Sequence, residues 1–303
     1  MTTFHQAESY QSIFWEPDWV FEKYHGWKII ADQENLRVFL KCIGPFKRYL
    51  ILSKLNHNQL RAELDKLTIF TPLSMVIVKD FSEQNQEDSK ELNISGYQLP
   101  KSDDAVRLLN KYTFVIDLFQ SSEKIWTNFN ADNKRVCKKA LAAGMFIEAT
   151  KSPTNFLLKL FFKRYKKMAT ERSLTMPSET LIRNMFEDGH LTMYYAKVGD
   201  DICTMILVYS VISISFFFYG VAGDQKNDGS AQLLHWKVIE HLKQTNQHWY
   251  DLGGVPKVCD LNGIYRFKKS FGGVGVDLGP EYCYYPIVLK VANRLYKKLR
   301  AML

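Results

Sequence analysis

The sequence has 303 residues, of which 46% are hydrophobic and 14% aromatic, and its formal net charge is +8. The apolar content excludes an intrinsically disordered chain, and the length predicts two domains of roughly 150 residues each. The positive charge favours a polyanionic partner, such as a phosphate-bearing ligand, a nucleic acid or an anionic membrane surface.

The cysteines and the first residues bear on the cellular compartment. The five cysteines are an odd number, and no two of them have C-x-x-C spacing. This argues against a disulfide scaffold and a zinc site, so we expect a reducing, cytoplasmic location and no bound metal. The start of the chain, MTTFHQAESYQSIFWEP, has no basic residues followed by an apolar run, and it predicts no secretory signal.

The first third of the chain predicts strands and one helix. The predicted order is strand, strand, helix, strand and loop, at residues 36–44, 47–55, 56–67, 74–81 and 82–104. The helix is predicted from Leu60, Leu64 and Leu67, which recur at helical spacing. The loop is predicted because the stretch 82–104 is polar and acidic.

The remainder of the chain alternates helices and strands. The predicted strands are residues 112–118, 145–150, 191–199, 202–210, 214–222 and 248–255. The predicted helices are residues 121–144, 152–174, 178–189, 231–246 and 286–303. This alternation predicts an α/β or α+β fold with mixed sheets. The later order of two helices, three antiparallel strands, helix, strand and helix resembles that of the GNAT acyltransferases.

One stretch, from Ile202 to Gly223, carries no charge and is long enough to span a bilayer. It is rich in β-branched and aromatic residues, contains serines and tyrosines, and is flanked by the turn sequences KVGDD and GDQKNDG. These features favour two adjacent buried strands, with a membrane segment as the alternative.

Three stretches resemble the Fem family, the aminoacyltransferases that build peptidoglycan cross-bridges. They are TFVIDLFQSSEKIWTNFNADNKRVCKKALAAGMFIE, GVAGDQKNDGSAQLLHWKVIEHLKQTNQHWYDLGGV and GIYRFKKSFGG, which follow one another within residues 113–273. The resemblance implies two GNAT-like domains: residues 1–108, on which the C-terminal helix within 280–303 packs, and residues 109–279, which carry the motifs.

The resemblance also implies an activity, which is transfer of an amino acid from aminoacyl-tRNA to an amine. The acceptor would be a lipid-linked or nucleotide-linked peptidoglycan precursor or a similar molecule. The enzyme would hold no bound cofactor, because the aminoacyl-tRNA is a co-substrate. No long charged heptad insertion is present, so acyl-CoA stays open as the alternative donor.

Acyl transfer to an amine passes through an oxyanion, and stabilising that charge is usually the largest catalytic contribution. Glycines at Gly253-Gly254 would let a strand end splay and a ligand approach the backbone. By the resemblance, the Phe267 N–H is the oxyanion donor, and the Lys268 cation holds the ribose or phosphate of the donor. Residue spacing alone favours an amphipathic helix turn with solvated lysines, and the surrounding resemblance reverses that preference.

The remaining candidates are less sharply defined. Asp251, at a strand end, is the candidate general base, although it could instead cap the turn amides. The further substrate-binding candidates are Tyr219, Tyr250, Arg266, Lys269 and Arg135.

Three basic clusters, within residues 134–139, 159–167 and 290–300, have few acidic neighbours. We expect at least one of them to face a polyanion: tRNA, a diphosphate precursor or the inner face of the membrane, with which the protein would make peripheral contact. The alternative interpretation is that each cluster is simply a solvated helix face. A non-catalytic basic module that binds RNA or membrane is therefore a further alternative.

Overall fold

The computed structural model describes residues 10, 12–16, 24–67, 69–82, 90–94, 96–102, 108–172, 174–223, 228–255 and 257–286. By its internal contacts the chain divides into two compact units. The large unit comprises Met1–Pro17 and Thr113–Val276, and the small unit comprises Asp18–Tyr112 and Asp277–Leu303. Both units are therefore discontinuous in sequence, whereas the predicted division assigned residues 1–108 to one domain. The predicted C-terminal helix lies outside the described residues.

The small unit contains a five-stranded sheet. Its strands are β1 (Lys28–Gln33), β2 (Leu36–Ile43), β3 (Phe46–Ser53), β4 (Ser74–Asp80) and β14 (Glu281–Tyr284), in the order β1-β2-β3-β4-β14. Strands β3 and β4 are parallel, and helix α1 (His57–Asp65) provides the crossover that parallel neighbours require. Leu60 and Leu64 of α1 are buried in the core of this unit, as their spacing predicts.

The predicted loop 82–104 is wrong in its second half. Strands β5 (Glu91–Ile94) and β6 (Tyr97–Pro100) form an antiparallel hairpin there. The turn contains Gly96, whose φ of +77° favours glycine. Leu92, Ile94 and Leu99 are buried in the core, so three apolar residues stabilise a segment that its polar composition had marked as a loop.

The large unit is built on a seven-stranded mixed sheet. Its strands are β7 (Tyr112–Asp117), β8 (Phe146–Thr150), β9 (Leu191–Val198), β10 (Asp201–Ser210), β11 (Ile214–Ala222), β12 (Trp249–Val255) and β13 (Val274–Asp277). The order is β13-β7-β12-β11-β10-β9-β8. Strands β8 to β11 pair antiparallel with their neighbours, and β11 pairs parallel with β12.

Six helices accompany this sheet in the described part of the chain: α2 (Ser122–Asn128), α3 (Ala131–Ala142), α4 (Asn155–Arg172), α5 (Glu179–Glu187), α6 (Ser230–Gln244) and α7 (Gly263–Lys269). The single helix predicted over 121–144 is thus two helices. The break falls at Asn130, whose side chain accepts a hydrogen bond from Asn133 N at 2.7 Å and caps α3.

The uncharged stretch Ile202–Gly223 forms the antiparallel strands β10 and β11, as predicted. The turn between them, where no turn residue stands in the sequence, is closed by a hydrogen bond from Val211 N to Ile214 O. No helix among the described residues is both long and apolar enough to cross a membrane. The predicted α/β architecture with mixed sheets is confirmed.

Candidate active site

The parallel strands β11 and β12 separate partway along their length. They pair only from Ile214–Phe216 to Trp249–Asp251, although β11 continues to Ala222 and β12 to Val255. At the point of separation Gly253 has a φ of +80°, a conformation that residues with a side chain rarely adopt. The glycine pair therefore lies where the strands splay, which is the geometry that the sequence predicts.

Lys268 is buried at this separation. It lies on α7, whose first turn is capped by Asn262, and only 8% of its surface is exposed. Its Nζ donates a hydrogen bond to the Gly254 carbonyl at 2.8 Å and lies 5.9 Å from the centre of the Phe217 ring. Burial lowers the pKa of Lys268 to about 8, against the opposing charge of Asp251. The ammonium group is thus a desolvated cation held at the opening between two strands.

Asp251 is buried on β12 and is surrounded by hydrogen-bond donors. Its Oδ1 accepts from Thr113 Oγ1 at 2.5 Å and from Gly253 N at 2.7 Å, and its Oδ2 accepts from Tyr10 OH at 2.5 Å. Burial raises the pKa of Asp251, while the hydrogen bonds and the Lys268 charge oppose that rise. The bond to Gly253 N means that this carboxylate caps the turn, the alternative that the sequence left open beside a general base.

A buried histidine lies beside Lys268, and sequence reasoning missed it. His235 of α6 is 1% exposed, its Nδ1 lies 2.8 Å from Tyr250 OH, and its ring packs against Phe217 and Phe271. Burial, with the nearby Lys268 charge, lowers the pKa of His235 to about 3, so the ring is neutral. The available signal was a histidine within an apolar helix face, which more often marks a satisfied core residue than a site.

The structure brings together five of the predicted residues: Lys268, Gly253, Gly254, Asp251 and Tyr250. Tyr250 is fully buried, and its hydroxyl is joined to His235 rather than open to solvent.

The other predicted residues make contacts of their own. Phe267 packs its ring against His235 and Phe271. Its N–H lies inside α7, where helix geometry assigns each N–H to the carbonyl four residues earlier, so its oxyanion role stays a prediction. Tyr219 packs edge-on against Tyr165, and burial raises the pKa of Tyr219 to about 12.

The predicted basic residues lie toward solvent. Arg266 is exposed, and Lys269 forms an ion pair with Asp260 at 3.1 Å. Arg135 on α3 is exposed and lies 3.3 Å from Asp132. No cluster of three or more potential metal ligands occurs among the described residues.

Comparisons with known proteins place this site in a family context. Residues 204–295 match the model of the FemAB family. That range contains most of β10 and all of β11, β12 and α7, and therefore both the separated strands and Lys268. The predicted resemblance to the Fem family is confirmed, and the chain is FemAB-like. A search of curated proteins found no similar sequence.

Solved structures share the fold at low sequence identity. The crystal structure of FemX is 14% identical, covers 92% of each chain and has a TM-score of 0.64. L-PGS from Bacillus licheniformis is 12% identical with a TM-score of 0.54, covering 86% of this chain and 84% of its own. The C-terminal domain of a putative lysylphosphatidylglycerol synthetase from Agrobacterium fabrum is 10% identical with a TM-score of 0.54. The match covers 87% of this chain and 85% of that domain's chain. The predicted α/β fold class with mixed sheets is confirmed, and these structures share the fold.

Proposed function

We propose that the protein is an aminoacyltransferase that moves an amino acid from aminoacyl-tRNA to an amine of a peptidoglycan precursor or a similar acceptor. The single observation that carries this proposal is the buried Lys268 ammonium at the opening between β11 and β12. The FemAB match over this segment and the similarity to the FemX and L-PGS structures support the choice of aminoacyl transfer.

Lys268 can stabilise the charge that develops on the reacting carbonyl. An ammonium group has three N–H donors, and Gly254 O is its one hydrogen-bond acceptor among the described residues. A donor ester that enters the opening would place its carbonyl oxygen near the remaining N–H groups. Because the cation is already desolvated and fixed, it needs little reorganisation when the oxyanion forms. The geometry identifies no general base, since Asp251 is occupied by three donors.

Acyl-CoA is the alternative donor, and the start of α6 argues against it. GNAT enzymes bind the pyrophosphate of CoA at such a helix N-terminus. Here Asp228 lies at that end, and its Oδ1 accepts from Ser230 N at 2.9 Å and from Ser230 Oγ at 2.6 Å. A carboxylate at this place uses a donor that a phosphate would need and repels its charge. This observation favours aminoacyl-tRNA.

The partners and location follow from this donor and acceptor. The tRNA is the polyanion that the positive net charge of +8 favours. A lipid-linked or nucleotide-linked amine is the acceptor. Both are cytoplasmic substrates, and a lipid-linked acceptor would bring the enzyme into peripheral contact with the inner face of the membrane.

The test is donor consumption by the purified full-length protein. It is incubated with a mixture of charged tRNAs and acyl-CoAs, together with a nucleotide-linked muropeptide that bears a free amine. We expect loss of aminoacyl-tRNA and a muropeptide heavier by one amino acid. Release of free CoA with intact aminoacyl-tRNA would instead establish the alternative donor, and no consumption of either would favour the non-catalytic binding module.

A matched pair of lysine variants tests the site. Lys268→Met should lower the transfer rate roughly 100- to 1,000-fold, the usual cost of one lost oxyanion donor. Lys243→Met is the control, because Lys243 also donates to backbone carbonyls, those of Leu118 and Gln120, but outside the separated strands. Equal losses in the two variants would contradict the role of Lys268.

A further inference from the structure

The N-terminal segment contributes a side chain to the candidate site. Tyr10 and Asp251 are 241 positions apart in sequence, yet Tyr10 OH donates to Asp251 Oδ2 at 2.5 Å. The Tyr10 ring also meets Trp249 edge-on, with centroids 5.5 Å apart. The segment therefore contacts the strand that carries the glycine pair.

The same segment is anchored on the large unit by its next residues. A 3₁₀ helix spans Ile13–Trp15, and the side chains of Ile13 and Trp15 are buried. Ser213 Oγ donates to Glu16 at 3.4 Å. The chain close to Tyr10 is therefore anchored by contacts that do not involve the Tyr10 hydroxyl.

Asp251 links Tyr10 to the site. A buried carboxylate is costly unless donors satisfy it, and three donors do so here: Tyr10 OH, Thr113 Oγ1 and Gly253 N. The bond to Gly253 N holds the turn that precedes the Gly254 carbonyl, and this carbonyl in turn accepts from Lys268. Hydrogen bonds at Asp251 and at Gly254, joined by the backbone of the Gly253-Gly254 turn, thus connect Tyr10 to the Lys268 ammonium.

We propose that Tyr10 is a positioning residue of the active site, whose hydroxyl satisfies the buried Asp251 carboxyl and so helps to fix the Gly253-Gly254 turn against Lys268. This inference rests on the proposed function, because it deepens the role of the same site. Tyr10 acts through Asp251 and touches no reacting atom.

The pH behaviour of Asp251 depends on the groups that face it. They are Tyr10 from the N-terminal segment, Lys268 from α7 and the adjacent Tyr250 of β12, with the non-titrating Thr113 on β7. Burial and the Asp251 charge raise the pKa of Tyr10 well above its usual value, so Tyr10 donates as a neutral hydroxyl throughout the physiological range. Removing this donor should raise the pKa of Asp251.

The first test is the pH dependence of transfer by Tyr10→Phe, which keeps the ring and removes only the hydroxyl. We expect the acid limb of kcat to move to higher pH by about one unit, so that kcat falls about 10-fold at pH values below the limb. KM should change little. Thr113→Val, which removes the other side-chain donor, should move the acid limb in the same direction.

The second test needs no substrate. The carboxyl carbon of Asp251 is followed by ¹³C NMR as a function of pH, and its titration should move upward in Tyr10→Phe. Tyr195→Phe is the matched control, because Tyr195 OH donates to the Glu148 carboxylate on β8 of the same unit. That variant should leave the Asp251 titration unchanged.

The two tests separate the possible failures. An Asp251 titration that Tyr10→Phe and Thr113→Val leave unchanged would overturn the positioning role, even if both variants lower the melting temperature. If the wild type transfers no aminoacyl group but the Asp251 titration shifts as expected, the proposed function has failed and the linkage of Tyr10 to Asp251 stands.

Discussion

At the scale of single residues, Gly253 is constrained both by its backbone conformation and by its neighbours in the site. A Cβ added here would lie 3.1 Å from Lys268 Nζ and 3.2 Å from Phe217 O, in a backbone conformation with φ of +80°. Both the backbone strain and the tight contact with the lysine disfavour a side chain. The need for glycine therefore comes from Lys268 as well as from the turn.

Gly253→Ala should lower the free energy of unfolding by about 1–2 kcal/mol. It should also lower the transfer rate by more than this loss of stability explains. The matched control is Gly144→Ala, because Gly144 has a φ of +76° and nothing within 4 Å of an added Cβ. Chemical denaturation and initial rates are measured for both variants. A control that loses as much activity as Gly253→Ala would contradict the local effect.

The buried Lys268 also predicts a pH dependence of stability. Its pKa is about 8 in the folded chain and 10.5 when unperturbed, so between these values the unfolded state holds the extra proton. Stability therefore rises with pH through this window. Relative to Lys268→Met, the wild type should gain on the order of 3 kcal/mol in the free energy of unfolding between pH 7 and pH 11. Urea denaturation of both proteins across that range measures the difference, and a constant difference would disprove the burial of the charge.

At the scale of elements, helix α7 places Lys268, and its cap can be tested separately from the lysine. Asn262 Oδ1 accepts from Tyr265 N at 3.0 Å and caps the first turn. Asn262→Ala should cost about 1 kcal/mol of stability and lower activity, because the helix that carries Lys268 begins less securely. The corresponding change at α5, Ser178→Ala, removes a cap to Leu181 N at 3.3 Å. It should cost similar stability at unchanged activity per folded molecule, and a parallel loss of activity would argue against a specific role of α7.

The elements also show what local sequence can and cannot predict. Strands β10 and β11 were predictable because β-branched and aromatic residues crowd a stretch bounded by turn residues. The break between α2 and α3 was missed because Asn130 acts as a cap within an otherwise continuous helical pattern.

In the site, too, some residues could be predicted from the local sequence and others could not. Gly253, Gly254 and Lys268 were predictable because they belong to one short segment with a recognisable motif. His235 was missed because it lies on an apolar helix face, where a histidine more often marks a core residue than a site. Tyr10 and Thr113 could not be found, because their contacts with Asp251 join residues 241 and 138 positions apart.

At the scale of the whole molecule, part of the excess positive charge lies on one exposed helix. Helix α4 presents the exposed lysines Lys159, Lys163 and Lys166 at spacings of four and three, on a helix whose single acidic residue is Glu171. Residues at these spacings lie on one helix face. That face fits a polyanion such as tRNA.

Replacing these three lysines of α4 by glutamine should weaken tRNA binding and make the logarithm of the binding constant less steep against the logarithm of salt concentration, by up to about three units of slope. The control replaces the exposed Lys28, Lys47 and Lys66 of the small unit, which removes the same net charge. Filter binding from low to physiological ionic strength provides the measurement. Identical slopes for the two triple variants would exclude a localised contact at α4.

The large unit includes Met1–Pro17 as well as Thr113–Val276. During synthesis, its N-terminal residues are therefore translated well before the residues that they contact in the folded unit. Tyr10 leaves the ribosome long before Asp251 exists, so the segment stays unpaired while most of the chain is translated. A nascent chain stopped short of β12 would thus lack Asp251, the glycine pair and Lys268.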